Sequence, residues 1–190
     1  MKKGNIILLN GVSSAGKTTL SKIIQDKLNV PYYRICCDDF MHMTTPQILH
    51  DDFDNQLLVT QCIMHEVIRL FSDKGHCVVV DDVILDLPDK NDWLYEYSVM
   101  FEGYPVMFVH VICPLHELIR RQVERGDRHP DQAQWQLAHA FTDIPYDITV
   151  NTFENTTEVC AEKIISFLNK SSAWTALSEI KKSIETTRGT

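Results

Sequence analysis

The chain has 190 residues and a formal net charge of −8. This length is enough for one domain with a sizeable core. The acidic balance argues against nonspecific nucleic-acid binding, which depends on Lys and Arg. The few residues before the first apolar run do not predict a signal sequence, and no run approaches membrane-spanning length. We therefore expect a cytoplasmic protein without a nucleic-acid or membrane partner. Nothing in the sequence indicates an oligomeric state.

The first apolar run, Asn5 to Asn10, predicts a buried strand, and residues 18–28 predict a helix. Between them, Gly11-Val-Ser-Ser-Ala-Gly-Lys-Thr-Thr19 fits the phosphate-loop pattern. Its glycines allow close approach to an anion, and its N–H groups can point at phosphate oxygens. Lys17 can reach the β- and γ-phosphates, and the Thr18 hydroxyl can bind Mg²⁺. ATP and Mg²⁺ are therefore the predicted cofactors. A Gly/Ser-rich turn before a helix is the alternative interpretation.

A second strand is predicted from Tyr32 to Cys37, and it ends in Asp38-Asp39. A carboxylate at this point can orient and deprotonate an attacking hydroxyl, a contribution of roughly 10²- to 10⁴-fold. We predict Asp38 as the catalytic base and Asp39 as a cap of the following turn. Residues 41–53 read as a loop or short helix, and 54–73 as an amphipathic helix.

The third strand, Cys77 to Asp82, is β-branched and apolar until its two final carboxylates. Asp81 and Asp82 are predicted to hold Mg²⁺ directly or through water. A helix cap or a solvated strand end is the alternative. A helix over about 91–102 and a fourth strand over 105–113 follow.

Arginines cluster in the next helix, 114–125, and in the polar loop 126–131 before a helix over 132–141. A mobile arginine over a transferring phosphoryl group can contribute about 10³- to 10⁵-fold. The sequence therefore predicts a lid over about 120–135, with Arg128 catalytic. A solvated basic face is the alternative. The predicted nucleotide-binding residues are Gly11, Ser13, Ser14, Ala15, Gly16, Lys17, Thr18, Thr19, Arg121 and Arg125.

A fifth strand over 146–152, a helix over 156–169 and a helical tail over 171–190 complete the chain, so residues 1–170 form the predicted domain. Strands alternating with helices predict an α/β fold with a parallel sheet covered on both faces. Ligands of such sheets sit at the carboxyl ends of the strands. The phosphate loop, Asp38 and the Asp81-Asp82 pair all fall at those ends.

The sequence resembles the chloramphenicol phosphotransferase-like proteins over about residues 5–168. The shared motifs, in order, are Gly11-Val-Ser-Ser-Ala-Gly-Lys17, Asp81-Asp82-Val83, Glu124-Arg-Gly-Asp-Arg128 and Tyr146-Asp147-x-x-Val150-x-Thr152. The resemblance implies a three-layer P-loop kinase fold with a five-stranded parallel sheet of order 2-3-1-4-5. It also implies that Asp38 is the base, that Arg128 lies in the lid and that Arg121 stacks on adenine.

Together these features predict an ATP-dependent kinase of a small-molecule hydroxyl. A regulatory ATPase or switch without acceptor chemistry is one alternative, although neither Asp81 nor Asp82 begins the Asp-x-x-Gly sequence of a GTPase. A nucleoside or nucleotide kinase is another, although residues 38–56 contain acids and no Lys or Arg. We expect the acceptor pocket to be walled by residues 40–57 and the segment after Asp82. Its predicted lining is Phe40, Met41, Met43, Phe53, Ile84, Leu85, Trp93, His42, Asp51, Asp52 and Asp54.

Overall fold

Five parallel strands form one sheet with the spatial order β2-β3-β1-β4-β5 in the computed structural model, which describes residues 2–87, 92–126, 129, 131–170 and 173–189. The strands are β1 (Ile6–Asn10), β2 (Tyr32–Cys36), β3 (Cys77–Asp82), β4 (Val106–Ile112) and β5 (Ile148–Asn151). This confirms the predicted fold class and strand order.

The helices lie between and after the strands. They are α1 (Lys17–Lys27), α2 (Cys37–Met41), α3 (Pro46–Asp51), α4 (Phe53–Asp73), α5 (Trp93–Met100), α6 (Leu115–Arg125), α7 (Gln132–Ala138), α8 (Thr157–Lys170) and α9 (Ala176–Arg188). Within the described part of the chain, no helix has the length and apolar character needed to cross a bilayer.

The strands divide their side chains between two separate apolar cores. In β1, Ile7 and Leu9 join a core with residues of α1 and α8, whereas Ile6 and Leu8 join a core with residues of α4, α5 and α9. Successive side chains of a strand point to opposite faces of a sheet. We call these the α1/α8 face and the α4/α5/α9 face. The side chains of two neighbouring residues in a strand therefore pack against different sets of helices.

Most element boundaries differ by one or two residues from the sequence-based prediction, and two of the differences bear on the site. Strand β2 ends at Cys36, whose partner in β3 is Asp81, and the chain then turns into α2. Asp38 and Asp39 thus lie in the first turn of a short helix, where the helix dipole favours acidic side chains. Helix α7 ends at Ala138 rather than at 141. Two residues after the end of α7, Ala140 forms an antiparallel bridge with Leu85. This pairing joins segments that are distant in sequence, so the local sequence does not indicate it.

Helix α9 is part of the α4/α5/α9 core. Its residues Ala176, Leu177 and Ile180 are buried in that core. Lys181 forms a 2.8 Å ion pair with Glu102, and Arg188 contacts Asp92 at the start of α5. The end of the chain therefore covers the side of the sheet on which α5 packs.

We predict that Ile180→Ala lowers the free energy of unfolding by about 2–5 kcal/mol, the usual effect of removing a buried isoleucine side chain. Ile180 is 1% exposed. Urea denaturation measures the change, and Lys182→Ala, at an exposed position of the same helix, is the control. Equal stability of the two variants would show that α9 does not contribute to the core.

Candidate active site

The loop between β1 and α1 has the backbone geometry of an anion-binding loop. Ser14 and Gly16 have φ angles of 64° and 92°, in the left-handed region that a non-glycine residue rarely adopts. A Cβ atom on Gly11 would lie 2.2 Å from the Val111 carbonyl oxygen, so only glycine fits where the loop passes β4. The Ser14 hydroxyl is buried and has no hydrogen-bond partner in the described structure. The loop therefore suits a phosphate group.

Lys17 and Thr18 both contact Asp81 at the end of β3. The Thr18 hydroxyl donates a 2.6 Å hydrogen bond to Asp81 Oδ2, and Lys17 Nζ lies 3.7 Å from Asp81 Oδ1. Lys17 Nζ also donates to the Val12 carbonyl at 3.1 Å. Hydroxyl and carboxylate oxygens are the ligands that Mg²⁺ prefers. Thr18 and Asp81 therefore fit the predicted metal position.

Asp82 faces the other side of the sheet. Its Oδ1 accepts hydrogen bonds from Gln61 Nε2 at 2.9 Å and from the Val83 N–H at 2.8 Å, and Tyr97 donates its hydroxyl to Oδ2. Burial, reinforced by the charge of Asp82, raises the pKa of Tyr97 well above its usual value, so this phenol remains a donor. The side chains of α4 and α5 thus hold Asp82 away from Lys17 and Thr18. Its predicted place among the metal ligands stays a prediction.

Asp38 and Asp39 have different surroundings, although both are exposed on α2. Asp38 lines the same cleft as the phosphate loop. Asp39 forms a 2.7 Å ion pair with Arg34 and does not line that cleft. The structure therefore brings Asp38, the predicted base, to the site and ties Asp39 to the neighbouring strand.

Arg121 connects the phosphate loop with the turn after β5. Its guanidinium donates to Thr152 Oγ1 at 3.0 Å and to the Thr152 carbonyl at 2.9 Å, and it reaches the Ser14 carbonyl at 3.4 Å. Glu117 accepts a 2.7 Å hydrogen bond from Arg121, and the pKa of Glu117 is lowered to about 2 by hydrogen bonds from Arg120 and Arg121. In this arrangement Arg121 acts as a brace beside the loop, and its stacking on adenine stays a prediction.

The predicted lid is described only in part. Helix α6 ends at Arg125, which lines the cleft, and Gly126 follows with φ 69°. Asp127 and Arg128 lie outside the described residues, so the catalytic role of Arg128 stays a prediction. Helix α7 adds a contact that sequence reasoning missed, because Gln136 Oε1 accepts a 2.6 Å hydrogen bond from the Ser13 N–H. A polar residue in a seven-residue helix gives no local sign of such a contact.

One cleft of about 700 Å³ joins these groups. We divide its lining by the elements that carry it, and the half that we call the nucleotide half consists of the phosphate loop with Arg121 and Arg125 of α6 and Trp135 and Gln136 of α7. Its other half, which we call the acceptor half, contains Asp38, Phe53, Leu57, Gln61, Asp82 and Trp93.

Part of the predicted acceptor wall lies in this half. Phe53, Asp54, Leu85 and Trp93 line the cleft. Met41 and Ile84 are instead buried in the protein, and Met43 is exposed. Phe40, His42, Asp51 and Asp52 are not among the residues that line the cleft.

The fold and the loop together define the P-loop kinase class, in which a glycine loop after the first strand binds phosphates. A model of the chloramphenicol phosphotransferase-like proteins matches residues 4–169. A proposed O-phosphotransferase of Mycobacterium tuberculosis is 32% identical over 176 residues, covering 80% of this chain and 76% of the relative. The chain belongs to the chloramphenicol phosphotransferase-like family, and it is a kinase.

More distant similarities agree with this class. The adenylyl-sulfate kinase of Clostridium acetobutylicum is 22% identical over 178 residues, covering 89% of this chain and 85% of the relative. Among solved structures, the Mycobacterium tuberculosis APS kinase CysC in complex with AMPPNP and APS superposes with a TM-score of 0.67 at 17% identity. That superposition covers 90% of this chain and all of the other, and it supports the fold.

We predict that Arg121→Ala and Arg121→Lys both weaken nucleotide binding by about tenfold or more, because neither side chain can form the planar fork that braces the loop. Titration calorimetry with a non-hydrolysable ATP analogue measures the affinity. Arg120→Ala is the control. Arg120, like Arg121, forms an ion pair with Glu117, but its other ion pair is with Glu124 and not with the phosphate loop. Full affinity of the lysine variant would show that charge, and not the brace, matters at this position.

Proposed function

We propose that this protein transfers the γ-phosphoryl group of Mg·ATP to a hydroxyl of a compact, partly apolar small molecule. The observation that carries the proposal is the shared cleft, in which the phosphate loop and Asp38 face the same space beside an apolar wall. A nucleotide-binding protein without acceptor chemistry has no need of this second compartment. Membership of the family supports the same reaction type.

The nucleotide half provides for the phosphates and the metal. Thr18 and Asp81 would hold Mg²⁺, which would neutralise phosphate charge and stabilise the transferring group. The Ser14 hydroxyl and the loop N–H groups would donate to phosphate oxygens, although the Ser13 N–H must first leave Gln136 and the Ala15 N–H must leave the Val12 carbonyl. Lys17, released from the Val12 carbonyl, can reach the β- and γ-phosphates.

In the proposed reaction Asp38 activates the acceptor. Its carboxylate takes the proton of the attacking hydroxyl, the hydroxyl oxygen bonds to the γ-phosphorus, and the bond from that phosphorus to the bridging oxygen of ADP breaks. Asp39 is less suited to this step because it is paired with Arg34. Arg121 and Arg125 of α6 line the opposite half, where negative charge would accumulate on the phosphates.

The acceptor half favours an uncharged or cationic compound. Asp38, Asp54 and Asp82 contribute carboxylates, and Phe53, Leu57 and Trp93 contribute apolar surface. Among the described lining residues, the cations Lys17, Arg121 and Arg125 belong to the loop or to α6. Acidic walls repel an acceptor that already carries phosphate, which disfavours a nucleotide kinase. Chloramphenicol, a partly apolar alcohol, is one compound to test.

We predict that Lys17→Ala abolishes nearly all phosphotransfer while the protein stays folded, because the γ-phosphate loses its cation. The assay incubates the enzyme with Mg·ATP and a panel of hydroxyl compounds that includes chloramphenicol. Mass spectrometry then detects the gain of one phosphate, and a thermal-shift measurement checks folding. Lys22→Ala, at an exposed position of α1, is the control. An active Lys17→Ala enzyme would exclude the kinase mechanism, and preference for a phosphorylated acceptor would overturn the substrate class.

We predict that Asp38→Asn lowers turnover by about 10²-fold or more, the scale of general-base catalysis. The affinity for nucleotide should change little, because the carboxylate faces the acceptor. Asp39→Asn is the matched control, because it removes the neighbouring carboxylate and its pairing with Arg34. Greater damage from Asp39→Asn would assign the base to that residue instead.

A further inference from the structure

Gln61 is a polar residue on the buried side of a helix. The buried residues of α4 are Gln61, Met64, His65, Ile68 and Ser72, a spacing that marks the side packed on the sheet. Gln61 is 2% exposed, yet it lines the acceptor half of the cleft together with Leu57, which precedes it by one helical turn. Burying an amide at this position requires partners for both its nitrogen and its oxygen.

Asp82 fixes the orientation of the Gln61 amide. An ionised carboxylate only accepts hydrogen bonds, so the nitrogen of the amide must face Asp82, and Gln61 Nε2 lies 2.9 Å from Asp82 Oδ1. Asp82 itself is 2% exposed and is held in place by the Val83 N–H and the Tyr97 hydroxyl. Gln61 therefore cannot turn its oxygen towards Asp82.

The remaining atom of this amide, Gln61 Oε1, is buried and has no hydrogen-bond partner in the described part of the chain. The negative charge of Asp82 polarises the amide, which strengthens Oε1 as an acceptor. Gln61 and Asp82 both line the cleft, whereas His65, one turn further along α4, does not. A donor that enters the acceptor half beside Gln61 would satisfy this oxygen once a small shift of the side chain opens it to the cleft.

We propose that Gln61 is a specificity-determining residue whose Oε1 accepts a hydrogen bond from a second N–H or O–H group of the acceptor, distinct from the hydroxyl that is phosphorylated. This inference rests on the proposed function and adds a substrate class to it. The acceptor combines an apolar body, which lies against Leu57 and Trp93, with a hydroxyl near Asp38 and a separate donor near Gln61. A simple apolar alcohol lacks that donor.

The test uses matched pairs of compounds with the intact protein. One series consists of N-acylamino alcohols, each paired with its N-methyl counterpart, and a second consists of diols paired with their mono-O-methyl ethers. Thermal-shift titration in the presence of a non-hydrolysable ATP analogue measures binding, and phosphorylation with Mg·ATP is measured separately. We expect the wild-type protein to prefer the compound with the donor by about 10- to 100-fold in at least one series, the effect of leaving a buried acceptor unpaired.

Two variants test whether Gln61 causes the preference. Gln61→Met removes the amide but keeps a side chain of similar length. Gln61→Lys also removes the acceptor oxygen but keeps a hydrogen-bond donor for Asp82. If the loss of that donor prevents folding of Gln61→Met, Gln61→Lys still provides the test. Both should lose the preference through a raised KM for the acceptor, with the KM for ATP within about twofold of wild type. Gln56→Met is the control, because Gln56 lies on the same helix and pairs with Asp52.

The outcomes separate this inference from the proposed function. A wild-type preference that disappears in the Gln61 variants supports the inference. Absence of any preference or binding in both series, or a preference that survives in either folded variant, overturns it. If the protein binds the compounds with the donor selectively but phosphorylates none of them, the proposed reaction is wrong and the role of Gln61 in binding is still supported.

Discussion

The alternation of side chains along β3 places two adjacent carboxylates in different halves of the site. Val79 and Asp81 point to the α1/α8 face, so Asp81 meets Thr18 and Lys17 at the start of α1. Asp82 points to the α4/α5/α9 face and meets Gln61 and Tyr97. A shift of one residue in the register of β3 would exchange these roles, because every side chain would change face. The site therefore depends on the pairing of β3 with β1 and β2.

The phosphate loop keeps its shape through contacts with the rest of the protein. Gly11 passes directly against the end of β4, and Arg121 joins the loop to the turn after β5. The Thr152 hydroxyl also donates to the Ala15 carbonyl at 2.8 Å. A loop that holds Ser14 in a left-handed conformation needs such support, since strained backbone persists only where its surroundings determine it. The shape of the loop is therefore fixed by contacts with β4, α6 and the turn after β5.

The nucleotide half could be predicted from the sequence because its residues are contiguous and chemically constrained. Gly11, Lys17 and Thr18 occupy fixed positions of one loop, and the apolar run before Asp81 identifies its strand. The acceptor half could be predicted only in part. Gln61 lies in an amphipathic helix, in which a polar residue is expected to face solvent. Only the packing of α4 on β3 brings Gln61 to Asp82. Leu85 and Trp93 are predicted for the wall because they follow Asp82 in the chain, whereas the bridge of Leu85 to Ala140 joins segments distant in sequence and has no local sign.

The two carboxylates also give the cleft opposite electrostatic characters at its two ends. Lys17 lies beside Asp81, so the charges of that pair largely cancel, and the guanidinium groups of Arg121 and Arg125 line the same side, with Arg121 paired with Glu117. The described contacts of Asp82 are all with neutral donors, which stabilise its charge without cancelling it. Charge in a partly enclosed cleft is screened less than charge at an open surface. In the proposed reaction this difference favours the triphosphate at the loop end of the cleft and keeps the acceptor half for a compound without negative charge.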